Sequence, residues 1–88
     1  MAMENHVHSF KRTHPLKGGQ VDPEGITYIG DGSWSVILSE CKPTLIEELF
    51  VKKGLEFHVW VLTIDIPNSK MDVIAVKPSG EILDSFTL

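Results

Sequence analysis

Two histidines separated by one residue are the strongest candidates for chemistry in this sequence. His6 and His8 belong to the tetrad Asn5-His6-Val7-His8. On an extended segment or a loop, two imidazoles at this spacing can turn to the same side, and neutral imidazole is a common ligand for borderline metal ions. They could bind one ion, or two ions lying roughly 3.5–4 Å apart as in two-metal sites. The alternative is a pair of exposed loop side chains, since short motifs often match by chance.

Three further residues could act beside these histidines. His14, which precedes Pro15, could line a substrate pocket, although a solvated loop residue is the simpler interpretation. Arg12 could offer its guanidinium to a phosphate group, or be one of an ordinary exposed basic pair with Lys11. Asp31 lies between two glycines and could orient a metal-bound histidine from behind, or simply form a turn. The sequence leaves each of these choices open.

The elements that would position these side chains fall into three segments of one predicted domain that covers residues 1–88. Residues 1–25 are polar, carry several proline and glycine turn signals, and predict a loop that bears the metal ligands. Residues 26–54 predict a strand followed by a short amphipathic helix, Pro43 to Lys53, because apolar residues recur there at helical spacing. Residues 55–88 predict an antiparallel meander of three strands.

The apolar residues of the last segment indicate how that meander should pack. From Leu55 to Ile66 both alternating sets are mainly apolar, which is typical of a strand covered on two faces. In the last strand, Ile82, Phe86 and Leu88 are expected to share one face. His58 is expected to be a buried, hydrogen-bonded structural residue, and Trp34 and Trp60 to be core aromatics.

Composition limits what the chain can be. It has 88 residues, 42% of them hydrophobic, and a formal net charge of -4. So short a chain forms a marginal core, and we expect it to need a missing N-terminal part or self-association to fold. The basic residues are scattered apart from the pairs Lys11-Arg12 and Lys52-Lys53, which argues against a nucleic-acid or anionic membrane partner. No apolar stretch is long enough for a transmembrane helix, and no signal peptide is recognisable.

The chain resembles a known enzyme family over most of its length. Asn-His-Val-His-Ser-Phe-Lys-Arg-Thr (residues 5–13), then a loop, then a strand ending in Gly30-Asp31-Gly32, is similar to the closing section of purple acid phosphatase-like, calcineurin-like metallophosphoesterases. The end of the chain, with Asp84-Ser85-Phe86 after a glycine turn, resembles the final hairpin of those enzymes. Asn5 stands where the family usually has glycine, and Lys11 where an acidic residue is common.

The resemblance implies a fold and a role. The fold would be α/β: this chain would be the C-terminal fragment of a metallophosphoesterase sandwich, mostly β, with one short helix and the terminal meander. His8 would bind the first metal ion, which is iron in purple acid phosphatases, and His6 the second, which can be zinc, manganese or iron. The two ions would activate a water molecule for attack on a phosphate ester. No residue of this chain alone is assigned a catalytic role, and Cys41 is expected to be an inert thiol.

The other metal ligands of the family precede this motif and are absent from the chain. Because a catalytic zinc ion commonly takes about three protein ligands, we expect weak metal binding at most and no activity from the chain alone. Its location stays unassigned, since family members are often secreted or found in the lysosome or vacuole. Two other hypotheses remain: a non-catalytic β-module that binds a protein partner along an unpaired edge strand, and a protein that binds one metal ion through His6, His8 and Asp31.

Overall fold

The part of the chain described by the computed structural model, residues 1–4, 8–30 and 47–88, is mostly β, as predicted. It contains one turn of 3-10 helix, Glu47–Leu49. Its strands, in chain order, are β1 Ala2–Glu4, β2 Phe10–Thr13, β3 Leu16–Lys17, β4 Gln20–Val21, β5 Tyr28–Gly30, β6 Phe50–Gly54, β7 Val59–Asp65, β8 Lys70–Val76 and β9 Ile82–Thr87. The chain divides into two compact units, Met1–Phe57 and His58–Leu88. Trp34 and Cys41 lie outside the described residues.

A four-stranded mixed sheet organises the first unit. Its strand order is β1-β5-β2-β6, with β1 parallel to β5 and β2 antiparallel to both of its neighbours. Ile29 in β5 is fully buried and Phe10 in β2 is nearly so. The two central strands therefore carry the apolar centre of this sheet.

The loop predicted for residues 1–25 is wrong where strands β1, β2, β3 and β4 lie. Phe10–Thr13 is an interior strand, because β5 pairs with it on one side and β6 on the other. Its Phe-Lys-Arg-Thr sequence lacks the alternation of apolar and polar residues that is typical of a strand. Strands β3 and β4 form a hairpin joined by Gly18 and Gly19, whose φ angles of 59° and 77° suit a two-residue turn. Residues 22–25, which carry one of the proline and glycine signals of this segment, do form a turn, in which the Gly25 N–H donates to the Asp22 carbonyl oxygen.

The helix predicted from Pro43 to Lys53 is wrong over its second half. Residues 43–46 lie outside the described residues, and Phe50–Gly54 is strand β6, hydrogen-bonded to β2. A few apolar residues at helical spacing do not separate a short helix from a strand, and pairing with β2 decides the outcome here. Among residues 1–4, 8–30 and 47–88, no helix is long and apolar enough to cross a membrane.

The meander predicted for the end of the chain is confirmed. Strands β7, β8 and β9 are antiparallel neighbours in that order, and β7 pairs with β8 over seven consecutive residues. In the first turn the Asn68 side chain donates to Asp65 at 2.8 Å, and in the second Gly80 has a φ of 88° and its N–H donates to the Lys77 carbonyl oxygen. Trp60, Val73 and Ala75 form the buried centre of this sheet.

Two details of the meander differ from the prediction. The pairing of β8 with β9 shifts after Ala75, so that Ile82 lies opposite Val76 while Phe86 lies opposite Val73. This irregularity puts Ile82 on the other face from Phe86, because neighbouring residues of β8 point to opposite faces. Also, the described residues do not cover β7 on two faces: Trp60 is buried on one face, whereas Val59 and Val61 on the other are 44% and 43% exposed.

Candidate functional site

The candidate site lies where β1 and β5 end together. The two strands are parallel and pair Glu4 with Gly30, so their carboxyl ends are adjacent. In sequence, Glu4 is followed closely by His6, and Gly30 is followed at once by Asp31. His6 and Asp31 lie outside the described residues, and their predicted roles stay predictions. What the structure gives is the adjacency of the two strand ends from which they follow.

An ion pair crosses this end of the sheet. Glu4, Gly30 and Lys11 occupy one row across β1, β5 and β2. The Lys11 ammonium reaches over β5 and pairs with the Glu4 carboxylate, and the two paired atoms are shielded from solvent. The side chains are 12% and 36% exposed respectively. The pair therefore connects the end of β1 to the start of β2, two strands that flank the histidine motif and are not neighbours in the sheet.

Gly30 makes this crossing possible. A Cβ atom at position 30 would lie 2.7 Å from Cγ and 2.8 Å from Cε of Lys11, inside van der Waals contact. The absence of a side chain thus leaves the path along which Lys11 reaches Glu4. From the sequence, Gly30 was expected only to end a strand; its packing role depends on a contact between strands and was missed.

His8 is the member of the histidine pair that the structure describes. It is half-buried and interacts with another group of the chain. Ser9 and Phe10, which follow it, are 2% and 3% exposed, so the chain just after His8 is fixed in the interior of the unit. This anchoring would limit the positions that the His8 imidazole can reach.

The structure does not place Arg12 and His14 together with His8. Arg12 is a half-buried residue of β2 that lies between Ile29 of β5 and Lys52 of β6. His14 comes just after the other end of β2, so the strand separates its imidazole from that of His8. Its backbone N–H donates to the Leu49 carbonyl oxygen at 2.9 Å. If either residue binds substrate, it does so away from His8.

The described residues do not by themselves make up a metal site. Among residues 1–4, 8–30 and 47–88, no group of three or more histidine, cysteine, aspartate or glutamate side chains could hold an ion. The His8 imidazole is a suitable metal ligand, but a single imidazole is fewer donors than a bound ion requires.

No protein-family model, curated protein or solved structure matches this chain. The sequence motifs and the geometry of the described residues are therefore the basis of any functional assignment.

The second unit buries polar groups of its own. His58 is fully buried and packs edge-on against Trp60, with ring centroids 5.8 Å apart. Asp84 is 4% exposed and accepts a hydrogen bond from the Ser85 N–H at 2.9 Å, and both His58 and Asp84 have further interactions within the chain. Trp60 also contacts Phe86 edge-on at 6.1 Å. The expectation of core positions for His58 and Trp60 is confirmed.

Proposed function

We propose that this chain is the C-terminal part of a binuclear metal-dependent phosphoesterase of the purple acid phosphatase-like type. The observation that carries the proposal is the adjacent ends of the parallel strands β1 and β5. In α/β proteins, functional groups gather at the carboxyl ends of neighbouring parallel strands, and here His6 and Asp31 follow two such ends in sequence. The motif resemblance supports the same conclusion from the residue types.

In this proposal the strands of the chain complete the α/β sandwich of the parent enzyme. The mixed sheet would continue the core of that enzyme, and β7, β8 and β9 would form its closing meander. The exposed valines of β7 support this arrangement, because a strand that is apolar on both faces is typical of a sheet covered on both sides. The missing part of the parent enzyme would supply that second cover.

The chain would give two imidazoles to the metal centre, His8 to the first ion and His6 to the second. Bound ions of this kind polarise phosphoryl oxygens and lower the pKa of bound water. In this proposal the chain contributes those two ligands and the strands that hold them, because the described residues contain no group of donors that could hold an ion by itself. We therefore expect a phosphate ester to be hydrolysed by the parent enzyme and not by the isolated chain.

Metal binding tests this proposal directly. Calorimetric titration with zinc and with manganese should detect weak binding to the wild-type chain, and His6→Ala/His8→Ala should abolish it. His14→Ala is the matched control, since it removes a half-buried imidazole from the opposite end of β2 and should leave binding unchanged. Hydrolysis of p-nitrophenyl phosphate should be undetectable for every variant.

Other results would overturn the proposal or part of it. Absence of metal binding to the wild-type chain would overturn the ligand assignment. Turnover that disappears in the double variant would refute the expected inactivity of the chain. Binding lost equally in Asp31→Ala, at one ion per chain, would favour the hypothesis of a single-metal protein.

A non-catalytic binding module is the second candidate, and one observation favours it. Within the described residues β7 pairs only with β8, so its other edge is open to a further strand. Val59 and Val61 beside this edge are exposed. A chain that binds no metal but captures an extended peptide, with loss of capture after Val61→Lys, would support this candidate instead.

A further inference from the structure

Strands β2 and β6 bring together the two dibasic segments of the sequence. Lys11 lies opposite Lys53, and Arg12 lies opposite Lys52. These four residues are half of the eight lysines and arginines in a chain whose formal net charge is -4. Residues about forty positions apart in sequence thus meet as two cross-strand pairs of like charge, which no local pattern predicts.

The two pairs of like charge lie on different faces of the sheet. Like charges directly opposite each other on neighbouring strands destabilise a sheet, with Cβ atoms about 4.5–5.5 Å apart. On one face Lys11 is paired with Glu4, and Lys53 lies over the Phe50 ring at 5.8 Å. Neighbouring residues of a strand point to opposite faces, so Arg12 and Lys52 share the other face.

The surroundings of Arg12 and Lys52 suit an anion. Arg12 is half-buried and lies next to the fully buried Ile29, while Lys52 is exposed. An apolar neighbour reduces competition from water and strengthens the attraction between a cation and an anion. Arg12 and Lys52 each interact with another group of the chain, but a guanidinium has five N–H donors and an ammonium three, so each can bond additional acceptors.

We propose that Arg12 and Lys52 form a binding site for a phosphate group, either inorganic phosphate or a phosphate monoester. The planar guanidinium of Arg12 matches two phosphate oxygens, and Lys52 supplies a second positive charge from the neighbouring strand. The site goes beyond the proposed metal centre, because it requires neither His6 nor a bound ion. It gives a role to Lys52, a residue that the sequence placed in a helix.

The test is phosphate binding by the whole chain after its metals are stripped on a chelating resin. Titration with inorganic phosphate and with phenyl phosphate at low ionic strength, followed by amide chemical shifts, should move the Arg12 and Lys52 signals. Arg12→Gln and Lys52→Gln should each weaken binding about tenfold, as expected for a lost charged hydrogen bond. Lys52→Arg should retain it.

Matched controls separate a site from general charge attraction. Lys17→Gln and Lys70→Gln change the net charge equally at exposed positions and should alter affinity less than twofold. Equal weakening by the controls, or no binding of either probe, overturns the proposal. Tighter binding of duplex DNA, weakened equally by the controls, would replace it with a general nucleic-acid surface.

The same titration distinguishes this inference from the proposed metal centre. His6→Ala/His8→Ala should bind phosphate as well as the wild type does. Loss of phosphate binding in that variant would show that the anion sits on the metal ligands and would refute the separate site. Melting temperatures within a few degrees of the wild type establish that each variant is folded.

Discussion

At the scale of single residues, three glycines of the first unit differ in what an added methyl group would meet. At Gly25 a Cβ atom would lie 2.4 Å from both backbone carbonyl atoms of Leu16, and at Gly30 it would meet the Lys11 side chain at 2.7 Å. At Gly54 the nearest atom is 3.9 Å away. Backbone cannot rotate out of a clash, whereas a lysine side chain can move and leave its carboxylate unpaired.

We predict that alanine at these positions lowers stability in the order Gly25, Gly30, Gly54. Gly25→Ala should cost more than about 3 kcal/mol or prevent folding, and Gly30→Ala should cost about 1–2 kcal/mol as Lys11 shifts away from Glu4. Gly54→Ala should change stability by less than about 0.5 kcal/mol. Urea denaturation of the three variants measures the order.

A double variant isolates the cause at Gly30. In a Lys11→Ala background the clashing atoms are gone, so Gly30→Ala should cost little more than that background alone. If the two losses add fully, Lys11 does not occupy the path over Gly30, and the account of the ion pair is refuted.

At the scale of elements, the sequence predicted strands well where strands that are consecutive in sequence also pair with each other. The meander was predictable because Pro67-Asn68-Ser69 and Pro78-Ser79-Gly80 separate β-branched runs that pair with their neighbours in sequence. Strands β2 and β6 were not predictable, because they are short and charged and pair across about forty residues. Their strand conformation is decided by each other and by β5.

The features of the candidate site also divide into those that local sequence predicts and those that depend on strand pairing. His6, His8, Arg12, His14 and Asp31 could be chosen from residue type and spacing, which are local. The Lys11–Glu4 pair, the role of Gly30 and the position of Arg12 opposite Lys52 depend on sheet order. No local pattern encodes that order, so these features emerged only with the structure.

Sheet order also predicts where the backbone is most protected. Strand β8 pairs on both sides, and Val73 and Ala75 within it are 1% and 0% exposed. We predict that the amides at the centre of β8 exchange with solvent more slowly than those of β7 and β9, by about tenfold or more. Hydrogen exchange followed by NMR measures this, and equal protection in β9 would contradict the order of the meander.

At the scale of the whole molecule, many large apolar side chains are exposed in the part of the chain that the structure describes. On one face of the meander Val59 lies opposite Val76, which lies opposite Ile82, and Val59 and Ile82 are 44% and 60% exposed. Val61 continues this face and is 43% exposed. Contiguous exposed apolar patches mark interaction surfaces or association in solution. A parent enzyme that supplies a covering layer would explain why these residues are apolar.

We predict that the isolated chain self-associates through this face. Sedimentation velocity should show an average mass that rises with protein concentration, and Val61→Lys should shift the association to a concentration several-fold higher, because burying a lysine ammonium against apolar side chains is unfavourable. Gln20→Lys adds the same charge at an exposed position of β4 and should not change the association. A wild-type chain that stays monomeric at all concentrations would show that its apolar face needs no cover, and would contradict the proposal that a parent enzyme covers it.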